Sequence, residues 1–387
     1  MKKIGIITTS CVKSGTYGCN YGAALQGYAL VRQLRDLGYD AYDINYLSEF
    51  EYRPQQYNPV VRTLRRVKML FSLQLVKGKI EQFLDRKNLK INNEKFMKFV
   101  EKNRLTYNNG QFYTLSELKD ISKDFYAFIT GSDVVWNPYL RKNQNDPGYF
   151  LDFTTGATKR ISYAASFGVT TLPETSKKTL KALLSKFDAI SIREQSGAKL
   201  IKDETGMDVP VVLDPTLLLA PEKYLDIEKT LSDLPQEYIA VYKFGDIPHT
   251  EEKIKEISQK LNLPVVYIPS GKTKDYDVRY DVGPCEFVYI IKHAKLVISD
   301  SFHCSVFCLI NHTDFLTFYR TLPDGGKDLN ARMVDLLETV HLSERLVKPG
   351  EEIAYDKLFA TDFSESDLII RKLREKSLQY LKNALED

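Results

Sequence analysis

The chain has 387 residues, 43% apolar and 27% charged, with a formal net charge of +3. That length exceeds what one hydrophobic core usually spans, so two domains are expected. A balance so close to neutral argues against a dedicated nucleic-acid binder, and plentiful Tyr and Phe without a low-complexity tract argue against disorder.

The opening MKKIGIITTS carries too short an apolar stretch for a signal peptide, and no run of about 20 apolar residues is present to cross a membrane. Five cysteines, an odd number without a disulfide-like framework, fit a reducing cytoplasm. Cys304 and Cys308 stand four apart without Cys or His partners at zinc-ligand spacing, so they read as small buried residues and no metal is expected.

KIGIITT reads as a continuous apolar strand and SCVKSGTYGCNYG as a glycine-bearing loop. AALQGYALVRQLRDLGY follows as an amphipathic helix, with Ala24, Leu25, Tyr28, Leu30, Val31 and Leu34 on its apolar face and Gly38 beyond its last turn. AYDINYL is a second strand, which is how a parallel α/β sheet begins. Residues 60–105 interrupt the rhythm with a basic helical insertion carrying Arg62, Arg65, Arg66, Lys68, Lys77, Lys79, Arg86, Lys87 and Lys90. It reads either as a solvated insertion or as a surface for anionic lipid.

The alternation resumes with strands or strand ends at FYAFITGSD (125–133), RISYAASFG (160–168), DAISIRE (188–194) and VPVVLDPTLLL (209–219). After a relaxed stretch a second series starts at EYIAVYKFG. It runs through a helix (EEKIKEISQKLN), a strand (LPVVYIPSG), a helix (PCEFVYIIKHA), a strand (KLVISD), a helix (SVFCLIN) and a strand (DFLTFYR). A boundary near 225–236 therefore separates two Rossmann-like domains, 1–230 and 231–387, and a long C-terminal amphipathic helix is expected to pack back on the first. Ligands of such sheets lie beyond the carboxyl ends of the strands. That rule selects Asn20 to Gly22, Ser132 and Asp133, Arg193 and Glu194, Ser301 and His303, and Arg320, arranged along a cleft between the halves.

Six of these segments, NYGAALQGYAL, GSDVVWNP, ISYAASFG, ISIREQSGAKLI, VVLDPTLLL and SDSFHCSVF, occur in an order that resembles the polysaccharide pyruvyl transferase family. The similarity runs from Ile4 to about Arg345 and skips the basic insertion. Three positions depart from the family pattern: Val134 where Gln is common, Cys304-Ser305 where Gly-Thr is common, and Ser301 where some members carry Arg. The resemblance implies a GT-B-like fold and transfer of the pyruvyl group of phosphoenolpyruvate to a sugar as a ketal, with neither metal nor organic cofactor.

Such a donor brings a phosphate and a carboxylate, which suit arginine forks and helix N-termini. Arg193, Ser301, His303, Arg320 and Arg332 form the expected donor set, with Lys327 nearby; for each cation a structural ion pair is the plainer alternative. Catalysis is expected from His303, either as proton donor to the enol or as phosphate ligand, and from Asp133 as the base for a sugar hydroxyl. Asn20, Tyr21, Gly22, Gln26, Trp136 and Asn137 are the expected acceptor contacts, although NYGAALQ also reads as a tight helix turn and Trp136 as core. A lipid-linked sugar of a bacterial surface glycan, met at the inner membrane face, is the expected acceptor. The alternatives are a nucleotide-sugar glycosyltransferase, for which neither G-x-G-x-x-G nor G-x-x-x-x-G-K-[ST] is present, and a non-catalytic carbohydrate-binding protein.

Overall fold

The computed structural model describes residues 1–9, 12–13, 16–17, 20–50, 90–244, 248–270, 278–279, 281–320 and 330–386. Most of the basic insertion, and Lys327 with it, lies outside the described residues. The part of the insertion that is described is a helix over 90–99 whose last turn widens at Val100–Arg104.

Two parallel sheets organise the molecule. In the first, β1 (Lys3–Ile7) is flanked by β2 (Asp40–Asp43) and by β3 (Ala127–Thr130), which pairs in turn with β4 (Lys159–Ser162). In the second, β5 (Ile239–Tyr242) lies between β6 (Val265–Tyr267) and β7 (Leu296–Ser299), followed by β8 (Phe315–Phe318) and β9 (Leu346–Val347). Helices cover both faces of each sheet, which is why these strands read as unbroken apolar runs rather than alternating ones.

Two expected strands are largely replaced. DAISIRE contributes only single ladder residues, Ala189 and Ile192, and VPVVLDPTLLL contributes only Val211. The latter then turns into a one-turn helix, α5 (Pro215–Leu218), because Asp214 caps it through Thr216 N and Pro215 occupies its first position.

The first helix, α1 (Tyr21–Asp36), starts at Asn20, whose Oδ1 accepts from Ala23 N. Its six expected apolar positions are buried, but burial continues all round from Tyr21 to Val31. The cause is tertiary. One side of α1 packs Leu30, Val31 and Leu34 against Ile4, Ile6 and Ile129 of the first sheet. The other side delivers Tyr21, Leu25 and Tyr28 into the core of the second half, where the Tyr21 ring stacks on Phe287 at 4.7 Å. Gly27 is needed midway, since a Cβ there would stand 2.5 Å from the Arg104 guanidinium that pairs with Asp43 at 2.7 Å.

The C-terminal helix, α10 (Ser364–Glu386), returns to the first half as expected. Leu381 and Leu385 enter the same layer as Ile4 and Leu30, Ser377 Oγ accepts from Leu213 N, and the Tyr380 hydroxyl donates to Ser162 O. A chain that ends in the second half's sequence thus closes the first half's core.

Candidate active site

The carboxyl ends of both sheets meet beside the N-terminus of α1, and buried charges collect there. After β3 the chain passes through Ser132 to Asp133, which is 5% exposed and adopts φ +72°. A non-glycine residue in that region is held there by its surroundings at a cost of about 1–3 kcal/mol. After β7 come Asp300 and Ser301, and then α8 (Phe302–Asn311), so His303 lies in the helix's first turn, one turn earlier than the sequence reading placed the helix start. Ser301 is the N-cap residue and makes no side-chain cap, so the first amides of α8 keep their partial positive charge uncapped by that side chain.

Asp214 joins the parts. Its Oδ1 accepts from Thr216 N at 3.0 Å and Thr216 Oγ1 at 2.6 Å. Its Oδ2 accepts from Ser132 Oγ at 2.7 Å and from Arg193 Nη1 at 2.9 Å. His303 Nε2 stands 3.4 Å from the same oxygen, an electrostatic contact rather than a formed hydrogen bond. Burial would raise the Asp214 carboxyl, but His303, Arg193 and Thr216 outweigh it and hold the group far below the usual carboxylate range. Asp133 is likewise held low: burial opposes ionisation, and His303, Arg193 and Arg332 overcome it.

Arg193 sits ahead of α4 (Gln195–Thr205). Burial works against its charge, yet Asp214, Glu194 and Asp133 together raise its affinity for the proton. Its guanidinium lies 4.4 Å over the Phe302 ring, while Nη2 is buried and without a hydrogen-bond partner. Leaving such a donor unpaired costs about 1–3 kcal/mol, which a bound anion would recover. Arg332, on α9 (Ala331–Thr339), reaches Asp133 at 3.5 Å. Burial and the facing Arg193 charge pull its affinity for the proton down to about 10. Both guanidiniums line a cavity of about 90 Å³ together with Asp214 and Phe302.

Arg320 is committed elsewhere. Its Nε and Nη2 bind the Asp300 carboxylate and carbonyl at 3.1 and 2.7 Å, and its backbone is locked to the Asn330 side chain. It shapes the strand end rather than presenting a free fork.

The acceptor set divides. Gly22 packs on His303: a Cβ at this position would lie 2.2 Å from Nδ1. Gln26 is fully buried, with Nε2 donating to Thr8 Oγ1 at 2.8 Å and Oε1 left without a hydrogen-bond partner. Asn20 is half-buried and spends its side chain on the helix cap. The other three are corrections to the sequence reading. Tyr21 is core, its hydroxyl donating to Val282 O. Trp136 is core as well, stacked on Phe150 at 5.0 Å with Nε1 donating to Tyr149 O. Asn137 Oδ1 caps the following turn through Tyr139 N and Leu140 N. At 0–1% exposure none of these three offers a face to a sugar.

The residue that sequence reasoning missed is Asp214. It stood inside an apparent strand, VPVVLDPTLLL, yet an Asp-Pro pair at that place is a helix-start signal and would have exposed the strand end.

Comparison with known proteins adds two findings. The sequence model of a family described as polysaccharide pyruvyl transferase matches residues 20–321, a span that holds Asp133, Arg193, Asp214 and His303. No curated protein matches the sequence. Among solved structures, Staphylococcus aureus MnaA with UDP is similar at 12% identity, covering 97% of both chains with a TM-score of 0.52. A putative UDP-N-acetylglucosamine 2-epimerase from Listeria monocytogenes is similar at 9% identity, covering 100% of this chain and 97% of the other with a TM-score of 0.52. The UDP-GlcNAc 2-epimerase of Methanocaldococcus jannaschii, in complex with UDP-GlcNAc and UDP, gives 14% identity over 96% and 99% with a TM-score of 0.50. At such identities the likeness shows the fold alone: a GT-B-type pair of Rossmann-like domains.

Proposed function

Because this chain belongs to the polysaccharide pyruvyl transferase family, we propose that it moves the pyruvyl group of phosphoenolpyruvate onto two hydroxyls of one sugar as a ketal. The observation that carries this reading is the buried Arg193 with an unpartnered Nη2 beside His303, at the facing strand ends of both halves. Arg193, Arg332 and the amides at the start of α8 receive the phosphate and carboxylate of the donor. His303 donates a proton to C3 of the enol, and C2 becomes electrophilic. Asp133, ionised and close to His303, accepts the proton of the attacking hydroxyl. Phosphate leaves, and a second hydroxyl of the same sugar attacks C2 and closes the ketal. Of the two hydroxyl protons, one ends on the methyl group and the other on hydrogen phosphate, so the reaction balances without an oxidant or a metal.

The acceptor is a sugar of a surface glycan, lipid-linked and met at the inner membrane face. The basic segment 61–90, most of which lies outside the described residues, is the part of the chain suited to anionic lipid.

The test incubates the protein with phosphoenolpyruvate and galactose-, mannose- and N-acetylmannosamine-containing acceptors, following phosphate release and product mass. A product heavier by pyruvate less water is expected, lost in His303→Ala and starved of donor in Arg193→Ala. Turnover with UDP-sugars in place of phosphoenolpyruvate would establish a glycosyltransferase instead. Wild-type turnover by His303→Ala would remove that residue from the mechanism.

A further inference from the structure

The charge count around Arg193 is unfavourable to an anionic donor. Arg193 and Arg332 line the cavity with Glu194, Asp214 and Asp335. Just beyond its wall, Asp133 pairs with Arg332 and Asp300 takes up Arg320. Among the described residues, three arginines thus face five carboxylates. Phosphoenolpyruvate at pH 8 is a trianion, and its entry would place that charge among carboxylates already in excess, in a setting where water screens poorly. The α8 amides supply only a fraction of an elementary charge.

Among the described groups there, His303 is the imidazole, a side chain able to hold or release a proton. The charged groups around it are Asp214 ahead of α5, Asp133 beyond β3, and the Arg193 and Arg332 guanidiniums paired with those carboxylates. Helix α1 packs Gly22 against its ring. Asp214 Oδ1 is committed to Thr216, so the carboxylate is fixed with Oδ2 aimed at Nε2, which itself lacks a hydrogen-bond partner.

We propose that donor binding at this site is coupled to uptake of one proton by His303, with Asp214 as the positioning residue whose carboxylate holds the imidazolium beside the incoming anion. The inference rests on the phosphoenolpyruvate reading above. The balance is simple: neutral imidazole, one proton and the trianion give the imidazolium–trianion pair. The proton taken up on binding is then already in place for C3.

The experiment is isothermal titration calorimetry of phosphoenolpyruvate into the full chain at pH 8, in two buffers of unequal ionisation enthalpy. The difference in heat counts protons. The wild type should take up about one, and its Kd should weaken about tenfold per pH unit above pH 8, as linkage requires for one coupled proton. In His303→Gln the uptake should vanish. In Asp214→Asn, which removes a carboxylate charge at nearly constant volume, uptake should fall below about half, because the imidazolium then loses its carboxylate partner. A role of Asp214 limited to packing would alter Kd and leave the proton number unchanged. Binding without proton uptake in the wild type, or full uptake in His303→Gln, would overturn this proposal and leave the donor reading standing. Absence of any binding would overturn both. The wild-type pH series reaches a decision even where a variant does not fold.

Discussion

A methyl group added at Gly22 would stand 2.2 Å from His303 Nδ1 and 2.5 Å from Cγ. The imidazole is 6% exposed and rooted in a buried helix turn, so it cannot swing away. Gly22→Ala should therefore push α1 and α8 apart, costing about 1–3 kcal/mol as overpacking does, and should lower turnover by more than the loss of folded protein explains. Urea melts and phosphate release on the same sample check this, and unchanged values in both would show that the contact yields freely. Position 22 was legible in the sequence as one needing glycine; the reason was not. A glycine pattern signals close approach, but it cannot say that the approaching group is a histidine 281 positions further on. Trp136 and Asn137 failed for the complementary reason. Aromatic and amide side chains suit a sugar platform and a loop core equally well, and only packing decides between them.

The one-turn helix α5 shows how much a short element can carry. Its cap, Asp214, binds Ser132, Arg193 and Thr216 together and faces His303, so the cap of a local turn is also the centre of the charge network. The sign of its pH dependence follows from the depressed folded-state values of Asp214 and Asp133. Unfolded carboxyls titrate near 4, so the stability this network supplies is fully present above about pH 4–5 and is lost as pH falls toward the folded-state values. Urea midpoints measured from pH 7 down to pH 3 should drop more steeply in the wild type than in Asp214→Asn, and parallel curves would show that the network contributes nothing through titration. Helix α1 teaches a related lesson. Its pattern gave one apolar stripe, yet the helix is buried all round over its first three turns because two cores share it.

At the scale of the whole molecule, α1 is shared by the cores of both halves, and α10 joins it in the layer that covers the first sheet. Ile370, Leu381 and Leu385 of α10 are at most 5% exposed. At about 2 kcal/mol for each buried side chain, Leu381 and Leu385 contribute roughly 4 kcal/mol to the first half, a large share of the net stability of a domain. A chain ending at residue 363 should therefore fail to hold the first half, seen as loss of cooperative unfolding by circular dichroism. A cooperative transition near the full-length midpoint would show that the first half closes its core unaided. A further tie between the halves is polar. Asp335 of α9 accepts from Ser196 N and Oγ at the start of α4, so the second half supplies the cap that Glu194 does not make.

Sequence alone determined the architecture and named candidates for the site. Continuous apolar strands alternating with amphipathic helices force parallel sheets covered on both faces, and the rule that ligands gather at strand carboxyl ends selects Asp133, Arg193 and His303. Tertiary structure decided which polar residues face one another. Arg320 is bound to Asp300, Trp136 to its own loop, and Arg193 and His303 to an aspartate hidden in an apparent strand. The physical reason is that strand and helix periodicities report which side of an element is buried. The partner of a buried charge lies across the fold, where neither local propensity nor spacing reaches.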